Sequence, residues 1–257
     1  DGDIWVSTID SGCYRISKGK IRHYEIRPEG IGEIEKNIRG IYQFPGMGYW
    51  LICRSLGAGR FDPSTGRYTP LIEKHPELKR VGMTTHVIPW DGHSLLFASQ
   101  NGLFLYDVSK DKVSFPDRGK DSHFFNHSSR KYNCVMRDSR GWIWFGTQDG
   151  LNLYIPQAKK SFSYYMEDGL VNNSIRSIVE DKEGRMWIAT SNGLSHFILS
   201  EDVNKPVHYI QNFDSRSGLL RGEYLERAAY LFPDGALYLG GLNGISELLP
   251  NQMKVRH

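Results

Sequence analysis

One phrase recurs along this chain. It stands as Ile4-Trp5-Val6-Ser7-Thr8, as Trp142-Ile143-Trp144-Phe145-Gly146-Thr147 and as Met186-Trp187-Ile188-Ala189-Thr190. Tyr49-Trp50-Leu51-Ile52-Cys53 is a blurred copy, and Leu237-Tyr238-Leu239-Gly240-Gly241 ends the series. The Trp position advances by 45 residues to Trp50, by 94 to Trp144 (two periods, with Leu96 in the skipped slot), by 43 to Trp187 and by 51 to Tyr238. A unit of this size is one small sheet that cannot bury its own faces, so copies must stack.

The clearest copy sets the register. Ile175 to Glu180 alternates and is β-branched, as a strand should be. Asp181-Lys182-Glu183-Gly184 reads as a turn, Arg185 to Thr190 as a second strand, and Ser191-Asn192-Gly193 as a tight hairpin turn. Leu194 to Leu199 is a third strand, and Val207-His208-Tyr209-Ile210 a weaker outer fourth. Cys134 to Tyr165 repeats the scheme step by step. Four antiparallel strands in about 45 residues describe a β-propeller blade. The fold class is therefore all-β, a propeller of four-stranded antiparallel blades. Six repeats are visible, at about 1–43, 44–89, 90–137, 138–180, 181–231 and 232–257. The first copy lacks its innermost strand and the last trails off after Leu249-Pro250. The expectation is a single propeller domain, or the C-terminal part of a larger, seven-bladed one.

Composition narrows the function classes. The net charge of +3 is too small for the dense basic surface of a dedicated nucleic-acid binder. Cys13, Cys53 and Cys134 have no disulfide or metal spacing, and the last two fall in apolar strand patterns as buried free thiols. There is no His-Glu-x-x-His, Gly-x-Ser-x-Gly or phosphate loop, and Gly57-Ala58-Gly59 lacks the third glycine of a dinucleotide site. Glu33 and Glu35 are paired in sequence, but nothing places carboxylates across a cleft as a glycosidase needs. No cofactor, no metal and no catalytic residue is expected.

The phrase Asp-x-x-Gly-x-x-Trp-Ile-x-Thr-x-x-Gly-Leu, standing at Asp181 to Leu194 and, with Phe145 in the Ile position, at Asp138 to Leu151, resembles the two-component-regulator propeller repeat. Gly218-Leu219, Asp234 to Gly241 and Asn243-Gly244 resemble the final repeat of such a propeller. The resemblance implies a periplasmic sensor ectodomain of a Bacteroides-type hybrid two-component system. It further implies an oligosaccharide ligand, neighbouring propeller and β-sandwich domains in the same receptor, a homodimer in the full receptor, and a kinase carried elsewhere. Copies ending in Thr85 to Pro89 and Leu231 to Pro233 lose the turn Asp, and Cys53-Arg54-Ser55 loses the closing Gly-Thr.

Binding groups favour irregular loops on a rigid scaffold. The longest connections, 27–37, 69–84, 116–132, 166–173 and 211–225, all lead from an outer strand to the next inner one. Counting back from each turn, one inner-strand slot holds Arg39, Thr85, Asn133, Arg176 and Arg227. As ligand groups these would form a polar collar for a sugar; as structural groups they would satisfy loop carbonyls between blades. Three arginines in one collar favour an acidic glycan, because an anion would relieve their repulsion. The loop 122–132 adds His123, Phe125, Arg130 and Tyr132 as candidate sugar contacts, with Phe124 and Phe125 alternatively tucked under the loop. Tyr224, in the cluster Arg221, Glu223, Tyr224 and Glu226, and Arg54 complete the candidates. Trp5, Trp144 and Trp187 recur at one slot and are assigned to packing between blades, with Trp142 on the opposite side of its strand. A propeller enzyme (lyase or glycoside hydrolase) and a protein-interaction propeller are the alternatives to a sensor.

Overall fold

The computed structural model describes residues 2–28, 34–118 and 129–253. The chain is all-β and built of propeller blades, six sheets in two compact units, Asp1–Phe115 and Pro116–His257.

In the first unit, sheet one comprises Ile4–Ser7, Cys13–Ser17 and Lys20–Tyr24. Sheet two runs Ile38–Phe44, Gly48–Cys53, Gly57–Asp62 and Arg67–Pro70, and a fifth strand, Arg27–Pro28, lies parallel on its outer edge. Sheet three runs Thr84–Pro89, Ser94–Ser99, Gly102–Asp107 and Lys112–Ser114. Leu96 thus lies in a second strand, as the skipped slot requires. The connection 69–84, which shows no periodicity, contains the helix Leu71–Lys74 and the 3-10 helix Pro76–Val81. Pro76 opens the second of these, where its missing N–H costs little, and Leu71, Leu78 and Val81 dock both onto the core.

In the second unit, sheet four runs Tyr132–Arg137, Ile143–Thr147, Leu151–Ile155 and Lys160–Tyr164. Sheet five runs Ile175–Glu180, Met186–Thr190, Gly193–Leu199 and Val207–Phe213, the last extending three residues past its expected end at Ile210. Sheet six has three strands, Tyr224–Leu231, Leu237–Gly241 and Gly244–Leu248. Among the described residues, every strand pairing but that of Arg27–Pro28 is antiparallel.

The recurring phrase is a hydrogen-bond circuit. The Asp138 carboxylate accepts the backbone N–H groups of Arg140 and Trp142 at 3.0 and 2.9 Å, and the Trp144 indole Nε1–H at 2.9 Å. Asp181 does the same for Glu183, Arg185 and Trp187, at 3.0, 3.0 and 2.8 Å. One buried carboxylate closes the turn and fixes the tryptophan, so Asp, Gly and Trp recur together. Gly184 stands at φ +72°, where a side chain would be strained. The Thr is as specific: the hydroxyls of Thr147 and Thr190 donate to the carbonyls of Gly150 and Gly193 at 2.9 Å. The turn at residues 45–48 has no Asp, and Trp50 Nε1 there donates to the Met47 carbonyl at 3.0 Å.

Each tryptophan of the series packs on the following sheet. Trp5 meets Tyr49 and Phe61, Trp50 meets Phe97 and Tyr106, and Trp144 meets Phe197, with centroids 5.6 to 6.3 Å apart. Trp187 clusters with Leu237 and Leu239. Trp50, Trp144 and Trp187 are buried and Trp5 is half-buried. Truncating one of the buried rings should cost about 3–5 kcal/mol. Trp142 is also buried, in the core cluster of Trp144.

Candidate functional site

The collar slot is a β-bulge. Pairing in sheet two jumps from Ile38 to Gly40, skipping Arg39. In sheet three it skips Thr85, in sheet four Asn133 and in sheet five Arg176. In sheet six the irregularity widens to everything between Tyr224 and Ala229, and Arg227 takes φ +60°. An extra residue in one strand leaves the ladder and re-aims its side chain. Counting positions in the sequence therefore located a backbone feature, which the alternation of strand residues does not by itself predict.

The re-aimed side chains reach the following sheet. Arg39 Nη1 contacts the Met83 sulfur at 2.8 Å, and Asn133 Nδ2 donates to the Ile175 carbonyl at 2.7 Å. Arg176 spans to sheet six, donating to Glu226 Oε1 at 3.2 Å and to the Glu223 carboxylate. Thr85 instead donates to Ala98 of its own sheet at 3.1 Å.

In the second unit these contacts join a polar network. Gln148 Nε2 donates to Asn133 Oδ1 at 3.2 Å, and Ser174 Oγ donates to Gln148 Oε1 at 3.3 Å. Ser177 Oγ donates to the Leu225 carbonyl at 3.3 Å. Arg176, Glu223 and Glu226 are half-buried, with side-chain exposures of 17, 38 and 27%. Cys134 lies in the same inner strand as Asn133, and burial pushes its thiol up to about 12, so it is inert as a nucleophile. The cluster can hydrogen-bond and can balance charge.

Other candidates fall out differently. Tyr132 and Tyr224 are not available to a ligand. They are 1 and 3% exposed, Tyr132 packs edge-on to Phe145, and the Tyr224 hydroxyl shares a hydrogen bond with Ser246 at 2.9 Å. Their place at a strand start gives a loop-like sequence context but a core position. Arg130 and Arg54 are exposed. His123, Phe125 and the rest of 119–128 lie outside the described residues. Glu35 is a structural clamp, its carboxylate accepting the backbone N–H groups of Asn37 and Ser55 at 3.0 Å. Gln148 and Ser174 were missed. Their only signal is position, at a hairpin tip beside Asn133 and just before Arg176.

Three comparisons bear on this arrangement. A family model described as the two component regulator propeller matches residues 126–149 and 169–192, the two repeats with the complete Asp–Trp–Thr circuit. Histidine kinase P4 of Formosa agariphila is 26% identical over 90 residues, 35% of this chain and 6% of that protein. The extracellular domain of a putative hybrid two component system from B. thetaiotaomicron superposes with a TM-score of 0.73 at 18% identity, over 97% of this chain and 32% of its own. PorZ, a surface component of the type-IX secretion system of Porphyromonas gingivalis, gives 0.70 at 18% identity over 96% and 37%. At these identities the solved structures show a shared fold, and this chain spans about a third of their length.

Proposed function

We propose that this chain, which carries two-component-regulator propeller repeats, is part of an extracytoplasmic sensor that binds an oligosaccharide and reports it to a kinase elsewhere in the same receptor. The likeness to an extracellular domain of a putative hybrid two component system supports the sensor role and a periplasmic location. The adjoining propeller and β-sandwich domains and a receptor homodimer belong to the same reading.

The observation that carries the ligand class is the bulge series. Polar side chains are turned out of the ladder at equivalent inner-strand positions, and in the second unit they meet a carboxylate pair. Donors and acceptors mixed at this density suit hydroxyl groups, which are both. The preference for an acidic glycan loses its footing at Arg176, whose charge is already met by Glu223 and Glu226. A neutral sugar is therefore the better ligand. It must bind two receptor states unequally for a signal to result.

Titration calorimetry against neutral and acidic oligosaccharides tests this. Saturable heat without product is expected, with Glu226→Gln and Arg176→Ala each weakening binding about tenfold, the loss of one charge-assisted hydrogen bond. Product formation, or undiminished affinity in both variants, would overturn the proposal.

A further inference from the structure

We infer that the groove between the outer strands of sheets four and five receives an extended peptide, which joins the edge of sheet four as a fifth strand. Lys160–Tyr164 and Val207–Phe213 are each the last strand of their sheet, so among the described residues one side of each backbone has no strand partner. Between them lies a groove of about 460 Å³. Its apolar lining, Phe162, Tyr164, Val207 and Ile210, is half-buried and continuous with the core below. Tyr209 lies at the groove with its hydroxyl in no hydrogen bond among the described residues.

Two further observations choose the occupant. The first is a precedent inside the chain. On the equivalent outer edge of sheet two, Arg27–Pro28 already pairs in parallel with Arg67–Pro70, in the register Arg27 to Arg67 and Pro28 to Tyr68. An outer blade edge of this molecule therefore accepts an added strand. The second is a charge gradient along the groove. Lys160 bonds Asn204, so Lys205 lies near the start of both strands, with His208 close by in the second. Asp202, beside Lys205, has its carboxylate engaged by the Asn204 backbone and amide at 2.8 and 2.9 Å. Asp168 follows the end of the first strand, exposed and with one carboxylate oxygen accepting the Tyr165 backbone N–H at 2.9 Å, and neighbouring Gly169 lies against Ile210. Lys205 and His208 are exposed and make no side-chain hydrogen bond among the described residues.

A strand added in parallel, as on sheet two, places its N-terminal end at the basic end of the groove and its C-terminal end beside Asp168. The fitting partner is an extended segment of about five residues, at roughly 3.3 Å each, with an acidic residue first, an apolar middle and a basic residue last. Main-chain hydrogen bonds supply affinity, and the two charge contacts supply direction.

The probe is the fluorescently labelled peptide acetyl-Asp-Val-Tyr-Val-Lys-amide, followed by anisotropy with the intact chain. Saturable binding is expected, about tenfold weaker for the peptide with its two charges exchanged, and lost when alternate backbone nitrogens are methylated. The double variant Asp168→Lys with Lys205→Glu should invert the charge preference. Both sites are exposed; because Asp168 also accepts the Tyr165 backbone N–H, a thermal midpoint lowered by only a few degrees with a single cooperative transition confirms that the fold is kept. Failure of all three peptides to bind, equal binding of the methylated one, or a preference that does not invert would each overturn the inference. So would displacement of the peptide by an oligosaccharide, which would assign the groove to sugar. Arg176→Ala should leave peptide binding unchanged, so failure here is distinguishable from failure of the sugar-sensing proposal.

Discussion

His196→Leu should remove a pH-dependent weakness from the second unit. His196 is 2% exposed and stacks on Trp187, with centroids 4.1 Å apart and ring planes at 18°. Its Nε2 is buried without a hydrogen-bond partner. Burial, aided by the nearby positive charge of Arg185, pulls its pKa down from 6.5 to about 4. Between those values the unfolded chain takes up a proton that the folded chain refuses. Stability is therefore complete above the unfolded pKa and falls as the pH drops toward about 4. Linkage with these two values gives a loss of about 2 kcal/mol between pH 7.5 and pH 5.

The substitution is one the fold already accommodates. His196 pairs across from Trp187, and the residue across from Trp144 in the preceding sheet is Leu153. Leucine forfeits an aromatic stack of about 1 kcal/mol but removes an unsatisfied buried nitrogen worth about 1–3 kcal/mol. At pH 7.5 the variant should match or slightly exceed the parent. At pH 5 its advantage should grow by about 2 kcal/mol. Urea unfolding followed by tryptophan fluorescence at both pH values measures this, and the double difference cancels titrations common to both proteins. If the variant loses as much stability as the parent to within about 0.5 kcal/mol, the neutral buried histidine is refuted.

Three further outcomes are expected. Asp181→Ala should cost about 3–4 kcal/mol, since it strands the Trp187 indole and two backbone N–H groups, whereas Asp234→Ala, which among the described residues frees the Ala236 N–H alone, should cost about 1 kcal/mol; urea midpoints compare them. Gly146→Ala should cost about 2–3 kcal/mol by the same assay, because its Cβ would fall 2.5 Å from the Cys134 sulfur and 2.6 Å from Ile175. The Asp62 carboxylate, held at about 2 by hydrogen bonds from Ser64 and then Thr65, should show that midpoint by NMR; its contribution to stability should fade as pH drops from about 4 toward 2, and Ser64→Ala should move the midpoint back up.

Much of the blade was legible in the residues because its defining contacts are short-range. Asp181 reaches Trp187 six positions on, and Thr190 reaches Gly193 three positions on, so each copy carries its own instructions. The place of Leu96 and the missing inner strand of the first copy follow from the same counting. The slot shared by Arg39, Thr85, Asn133 and Arg176 was also readable, although that it is a bulge was not. The helices in 69–84 escaped notice because two short turns carry too few residues to establish a period.

What the sequence determined by itself is the chemistry of one blade, written several times over in contacts a few residues long. What only the tertiary structure decided is whom the outward-turned side chains meet. Arg176 finds Glu223 and Glu226 across 47 and 50 residues, and Asn133 finds Ile175 across 42. Tyr132 and Tyr224 are drawn into the core although their neighbours in the chain look like loop. A local pattern fixes backbone geometry because turn hydrogen bonds form between near neighbours. The charge and availability of a side chain depend on groups that packing alone brings beside it.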